Sequence, residues 1–371
     1  MKTLYLHIGT PKTGTSTIQY FCRKNDAFLL QQGLCYPDLG FRFPGIGQNR
    51  NAYFLSHKIY DARKDRLFEE EAREREAGFQ KLEKLFEKQD RVVISDEHIW
   101  NEKEIDEMRL EGIRERMAKV GVTVKAIVYL RRQEQVIQSY WAQQVKEGMQ
   151  LSFSQYIQQE KYRYFQLDYQ KRLQVFAHAL GRENIIVRCY EKGQYQGTEK
   201  TILSDFLHIF DIALSEECKD SDALQNTSLR GIYLETKRLL NQNPAFCTKQ
   251  NFSVKRLLAL QESPMGNPLD RAANYFSKEE RKQCALRYAS GNQAVAREYL
   301  DRADGTLFYE TVELNEAGNA FSLQDITDIC GEIIAVQEQE IRELKKRLEK
   351  KTLRGKLKWI YHKIYSLFKN A

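Results

Sequence analysis

Gly9-Thr10-Pro11-Lys12-Thr13-Gly14-Thr15-Ser16 gathers two glycines, one lysine and several hydroxyls into one short stretch. Such a set can hold an anion. Glycines let the backbone turn tightly and aim its N–H groups, hydroxyls add donors, and the lysine adds charge. Two other stretches could act with it. Ser95-Asp96-Glu97-His98 brings two carboxylates and an imidazole, and Arg131-Arg132 is followed by Ser139, eight residues after Arg131. A carboxylate or imidazole can take a proton from an attacking group. A guanidinium at a strand end and a hydroxyl two helical turns on can close on one phosphate.

The elements around these residues would position them well. Residues 3–8 read as a short buried strand, and a helix opens at Thr17. Further apolar strands are expected at 91–95, 124–130 and 185–190. Helical patterns fill 52–60, 61–90, 102–119, 133–147, 168–180 and 199–210. Short apolar strands alternating with helices predict an α/β fold, a parallel sheet flanked by helices on both faces. Residues 222–310 read as helical with a break near 263–268. A charged helix over 323–351 carries Ile334, Ile341 and Leu348 at seven-residue spacing, too few heptads to define a coiled coil. A last helix is expected over 353–368. The division expected is a catalytic domain over 1–310 and a helical C-terminal extension over 311–371.

The bulk composition narrows the function class. The 371 residues are 42% apolar, 11% aromatic and 29% charged, as in a folded globular protein. The net charge is +7, but Arg354, Lys356, Lys358, Lys363 and Lys369 lie in the last twenty residues, which hold no acid. The body is therefore near neutral, and no nucleic-acid partner is expected. The 7 cysteines are scattered without a C-x-x-C pair, which argues for free thiols and against a zinc site. No apolar run reaches membrane-spanning length. A cytoplasmic protein is expected.

The turn departs from the G-x-x-x-x-G-K-[ST] phosphate loop of nucleotide triphosphatases. Gly9, Gly14 and Ser16 match it, but Thr15 stands where the lysine belongs, and Lys12 sits inside the loop. Pro11-Lys12-Thr13-Gly14-Thr15-Ser16-Thr17 resembles instead the 5′-phosphosulfate loop of sulfotransferases. Leu130-Arg131 with Ser139 resembles that family's 3′-phosphate site. Ser95-Asp96-Glu97, Val187-Arg188-Cys189-Tyr190-Glu191, Asp205-Phe206-Leu207, Asn226-Thr227-Ser228-Leu229, Asn292 and Tyr299 resemble segments of its bacterial, carbohydrate-directed branch. A departure is Arg132-Gln133 where Asn-Pro is usual. The resemblance implies a P-loop-like sheet and 3′-phosphoadenylyl sulfate (PAPS) as co-substrate, held by residues 11–17, Arg131 and Ser139, with no metal. It also implies that Lys12 contacts the sulfate-bridging oxygen.

Glu97 is the first candidate for the base, since carbohydrate-directed members of that family use a glutamate; capping the next helix is its competing role. His98 and His57 follow. His7, inside a strand, reads as packed. The loop 33–57 could form an acceptor wall, with Tyr36, Phe41 and Phe43 stacking on sugars and Arg42 and Arg50 meeting acidic groups, or could simply pack on the sheet.

In the tail, Leu353, Leu357, Ile360, Tyr361, Ile364, Leu367 and Phe368 make an apolar stripe flanked by Trp359, Tyr365 and the five cations. Residues 353–369 so patterned suit an anionic membrane surface, on the inner face if the protein is cytoplasmic, or docking on protein. The expected activity is sulfuryl transfer from PAPS to a hydroxyl of a glycan or glycolipid. The alternatives are a P-loop kinase or NTPase with an irregular loop, and a non-catalytic membrane-tethered scaffold.

Overall fold

The computed structural model describes residues 1–215, 218, 228–247, 252–263, 275–310, 322–351 and 355–361. The chain divides into two compact units. The first comprises Met1–Trp141, Phe153–Asn226 and Phe276–Ala317, the second Ala142–Ser152, Thr227–Tyr275 and Gly318–Ala371.

The first unit is α/β. Among the described residues β1 (Lys2–His7), β2 (Arg91–Ser95), β3 (Val122–Leu130) and β4 (Ile185–Cys189) form one parallel sheet in the order β2-β1-β3-β4. β2 and the second half of β3 are buried in continuous runs because both sheet faces are covered there, while β4 alternates buried and half-buried residues. Period-2 alternation divides the side chains between the faces. Leu4, Leu6, Val92, Ile94, Val124, Ala126 and Val128 face one core. Val93, Ile127 and Tyr129 face the other.

The helices that cover the sheet start and stop at identifiable signals. α1 (Thr15–Lys24) and α2 (Asp26–Gln31) follow β1, and α3 (Phe68–Leu85) precedes β2. α4 (His98–Asn101) and α5 (Glu107–Ala118) lead to β3. α5 begins five residues later than the pattern predicts, because Asp106 caps it by accepting from Arg109 N at 3.0 Å. α6 (Gln133–Lys146), α7 (Phe153–Gln158) and α8 (Tyr169–Leu180) separate β3 from β4. α9 (Ile202–His208) starts at a capping box made by Thr201 and Ser204. The helix expected over 52–60 is only a 3₁₀ turn, Tyr53–Leu55. Its neighbour Asn51 is engaged elsewhere: its carboxamide accepts from Ser95 N at 2.7 Å and donates to Pro37 O at 3.0 Å, pinning the loop to the edge of β2. The charged helix starts at Phe68 because Asp61 turns the preceding chain, accepting from Arg63 N and Asp65 N.

In the second unit α10 (Gly231–Leu240) and α11 (Phe252–Gln261) lie before the break, whose residues 264–274 fall outside the described chain. α12 (Lys278–Leu300) belongs to the first unit, capped by Ser277 and Glu280. α13 (Leu323–Lys351) belongs to the second and has the predicted length. Residues 355–361 are helical, with Leu357, Trp359, Ile360 and Tyr361 exposed, while 352–354 and 362–371, including most of the expected tail stripe, lie outside the described residues. Asn226 and Thr227 do too. No helix among the described residues is long and apolar enough to cross a membrane.

Candidate active site

A parallel sheet sends every strand's C-terminal end to the same edge. His7 pairs with Ser95 on one side and Ile127 on the other, so residues 8–14, 96–98 and 131–132 all leave the sheet there. The chain passes from β1 outward to β2, then back across β1 to β3. The crevice at this reversal is where open α/β sheets take ligands. The loop 9–14 and Arg131 flank it.

The loop's shape follows from its glycines. Gly14 has φ +76, and a Cβ there would come within 3.2 Å of Tyr190 and Ile202. Gly9 has φ +26, and a Cβ there would come within 2.5 Å of Thr15 Oγ1. Between them Lys12 is held at φ 69, a left-handed conformation that costs a non-glycine residue about 1 kcal/mol or more. Thr10 Oγ1 donates to Tyr129 O at 2.7 Å, and Thr13 Oγ1 donates to Thr10 O. The first bond ties the loop to β3, and the second closes the loop on itself. The second also removes the Thr13 hydroxyl from the donors expected for an anion.

Thr15, Ser16 and Thr17 open α1, and the first bond of the helix is Ile18 N to Gly14 O at 3.1 Å. Gly14 supplies no side-chain cap, and the first turn holds no acid. The N–H groups of such a first turn lack intrahelical acceptors and carry the positive end of the helix dipole. Thr15 Oγ1 is buried and has no hydrogen-bond partner. Thr15 thus fills the triphosphatase lysine position with a buried hydroxyl close to Gly9. Ser16 is exposed, and Pro11 and Thr17 are half-buried beside it.

Arg131 completes the anion-attracting side. Its Nη1 donates to Lys12 O at 2.9 Å, its Nε to Gln135 Oε1 at 3.0 Å, and its guanidinium lies 5.3 Å from the centroid of the Tyr190 ring. Tyr169 Oη donates to the Arg131 carbonyl. Burial pulls the guanidinium's pKa down, with nearby tyrosines and Glu134 opposing the shift. Among the described residues no carboxylate forms an ion pair with Arg131. Arg132 does not join it. Its Nη2 donates to Glu310 O, and its guanidinium lies over Phe308. Ser139 stands half-buried in α6, with no bond to Arg131 among the described residues.

Across the crevice, Glu97 is half-buried at the N-cap position of α4 but makes no capping bond. Asp96 accepts from His98 N at 2.7 Å, which frees Glu97 from the capping role. Glu97's pKa is raised, chiefly by burial; Asp96 pushes the same way, while Arg50, His98 and Lys12 pull it down. Asp96 is fully buried and binds Arg50 Nη2 through both oxygens, at 2.9 and 3.0 Å. His98 is exposed, its ring 5.6 Å from that of Tyr53. His57 is bonded to Glu74 at 2.9 Å, and its ring packs 5.3 Å from that of Tyr53. His7 is buried, as expected, with Nδ1 2.8 Å from Ser95 Oγ.

The loop 33–57 is corrected in part. Tyr36 is buried, donating to Asn49 O at 2.6 Å, and cannot stack on a ligand. Arg42 is paired with Asp38 at 2.9 Å, and Arg50 with Asp96. Phe41 and Phe43 stack at 5.8 Å and line a cavity of about 290 Å³ together with Gln48 and Arg50. Sequence reasoning missed the parts played by Tyr190, Gln135, Tyr169 and the Arg50–Asp96 pair. For Tyr190 a signal existed: it closes the strand expected over 185–190, and in the structure it directly follows β4.

One solved sulfotransferase is similar to part of the chain. It comes from Alicyclobacillus acidocaldarius, with 16% identity and a TM-score of 0.30 over 51% of this chain and 74% of that one. An uncharacterised protein of Archaeoglobus fulgidus is 26% identical over 176 residues, 47% of this chain and 46% of that protein. The chain therefore spans about half the length of the curated relative it matches. No family model matches. Among the described residues no cluster of His, Cys, Asp and Glu could hold a metal ion.

Proposed function

We propose that this chain is a sulfotransferase that moves the sulfuryl group of PAPS to a hydroxyl of a glycan or glycolipid. The observation that carries the reading is Arg131. A half-buried guanidinium without a carboxylate partner, bonded to the carbonyl of Lys12, is costly unless an anion completes it. The bare first turn of α1 and the unpartnered Thr15 hydroxyl suit a second anionic group of the same ligand. PAPS has two such groups, a 3′-phosphate and a 5′-phosphosulfate. Arg131, with Ser139, would take the first. Residues 11–17 would take the second, though not through the Thr13 hydroxyl.

In this reading the acceptor hydroxyl attacks sulfur in line with the departing phosphate oxygen. Glu97 takes the acceptor's proton, and Lys12 with the loop N–H groups stabilises the charge that develops on the leaving oxygen. Burial raises Glu97's proton affinity above that of an ordinary glutamate, which suits it to accept a proton. Arg50 spans from the cavity wall to Asp96, next to Glu97, which supports the cavity as the acceptor's entry. We place this chemistry within residues 1–310 and read 311–371 as an extension. Its exposed Leu357, Trp359, Ile360 and Tyr361 support peripheral contact with an anionic membrane surface.

A thermal-shift comparison tests the reading. The ligand 3′,5′-ADP should raise the melting temperature without added metal, and ATP with magnesium should do little. The reverse pattern would identify a kinase or NTPase.

A further inference from the structure

Among the described residues little covers the far half of α13. Residues 338–349 are exposed on every face of the helix. An apolar stripe nevertheless runs along α13: Ile334, Ile341, Leu344 and Leu348 are 59%, 45%, 62% and 66% exposed. Their spacings of seven, three and four residues put them on the a and d positions of a heptad pattern. A solvated helix does not need branched apolar residues at that spacing.

The charges beside the stripe are divided by sign. With Ile341 at a and Leu344 at d, Glu338 and Lys345 occupy e positions, and Glu340 and Arg347 occupy g positions. The acids precede the centre of the stripe and the bases follow it.

We propose that a second copy of this chain docks on this stripe, with the two α13 helices antiparallel about a two-fold axis passing between residues 342 and 343. Ile341 then meets the partner's Leu344, and Leu348 meets the partner's Gln337. Facing e positions set Glu338 against the partner's Lys345. Facing g positions set Glu340 against the partner's Arg347. Symmetry repeats each contact, so all flanking charges are matched, and an isologous interface closes at two copies. A parallel in-register pair does less well. It matches Glu340 with the partner's Lys345 but sets Glu338 against the partner's Ile333. Glu340 also contacts Arg256 of its own chain. A carboxylate has lone pairs for both cations, and Glu340 remains 48% exposed. The seam is short, so the dimer should dissociate on dilution. This inference is independent of the proposed transfer reaction.

Sedimentation velocity on the full chain over a concentration series tests it. The native protein should show a monomer–dimer equilibrium. Leu344→Glu, at an exposed position, should weaken it by about tenfold or more. The double variants Glu338→Lys with Glu340→Lys, and Lys345→Glu with Arg347→Glu, should each fail to self-associate yet associate with each other when mixed. A native protein that stays monomeric at every concentration overturns the proposal. So do charge variants that each dimerise as well as the native chain. A monomer whose binding to phosphatidylglycerol vesicles is lost in Leu344→Glu would assign the stripe to lipid instead.

Discussion

Arg131 Nη1 and the Lys12 carbonyl, 2.9 Å apart, join the end of β3 to the loop after β1 across the crevice of the sheet. The guanidinium gains a backbone acceptor, the Gln135 carboxamide and a tyrosine face there, but no ion pair with a carboxylate among the described residues. Two effects of Arg131→Met follow, with opposite signs. Removing a half-buried charge that has no ion-pair partner among the described residues should raise the melting temperature of the ligand-free protein. Losing charge-assisted bonds to a phosphate should weaken 3′,5′-ADP by about 1.5–3 kcal/mol, roughly ten- to a hundredfold. Calorimetric titration and a melting curve read the two effects separately, and unchanged affinity would remove Arg131 from the site.

Lys12 combines a cost and a function. Its φ of 69 suits glycine, so Lys12→Gly should stabilise the loop by up to about 1 kcal/mol. The same change removes the charge that would meet the leaving oxygen. Turnover should then fall by about a hundredfold or more, with acceptor KM little changed. Steady-state kinetics with the acceptor varied would show the split, and a KM effect alone would place Lys12 in acceptor binding.

Local features of this fold were open to sequence reasoning, and contacts between distant segments were not. Each strand carries a short apolar run, such as Val92-Val93-Ile94 in β2, because both faces of the sheet are covered. The Gly9–Gly14 spacing announces a tight anion-holding turn within a few residues. By contrast, Arg50 meets Asp96 across 46 positions, and no local pattern pairs them. Nor does a pattern say which way a loop aromatic points: Tyr36 turned into the core, while Phe41 and Phe43 line a cavity. Thr13 and Thr15 look equivalent as hydroxyls. One satisfies a carbonyl inside the loop, and the other is left without a partner.

Thr15→Val isolates that unpartnered hydroxyl. The substitution keeps the shape and deletes a buried donor that the ligand-free protein does not satisfy. Melting should show stabilisation by about 1 kcal/mol, and 3′,5′-ADP affinity should drop several-fold. Destabilisation would mean that the hydroxyl already has a partner in solution.

His7 ties acid stability to the sheet. Burial lowers its pKa from 6.5 to about 3. The unfolded chain therefore binds a proton between those values that the folded chain does not. The associated stability is present above 6.5 and is lost as the pH falls towards 3. At about pH 4 the loss is on the order of 3 kcal/mol. Denaturant unfolding of His7→Gln should show a flatter acid limb, and an unchanged limb would mean that His7 does not control it.

Glu97 tests the chemistry and the electrostatics together. A base must be ionised to accept a proton, so turnover should rise with pH through Glu97's raised pKa. The midpoint should lie above the ordinary glutamate value of about 4.3. Stability has the opposite sign. The folded protein holds the proton to higher pH than the unfolded chain, so stability falls as pH rises through that window. Glu97→Gln keeps the shape without the charge. It should abolish the kinetic limb, lower kcat by about a hundredfold or more, and stabilise the fold at neutral pH. Arg50→Met should move the limb further upward, because Arg50 is the cation that most favours ionised Glu97. A limb unmoved by either change would assign the proton to another group, and His98, exposed beside Tyr53, would be the next to test.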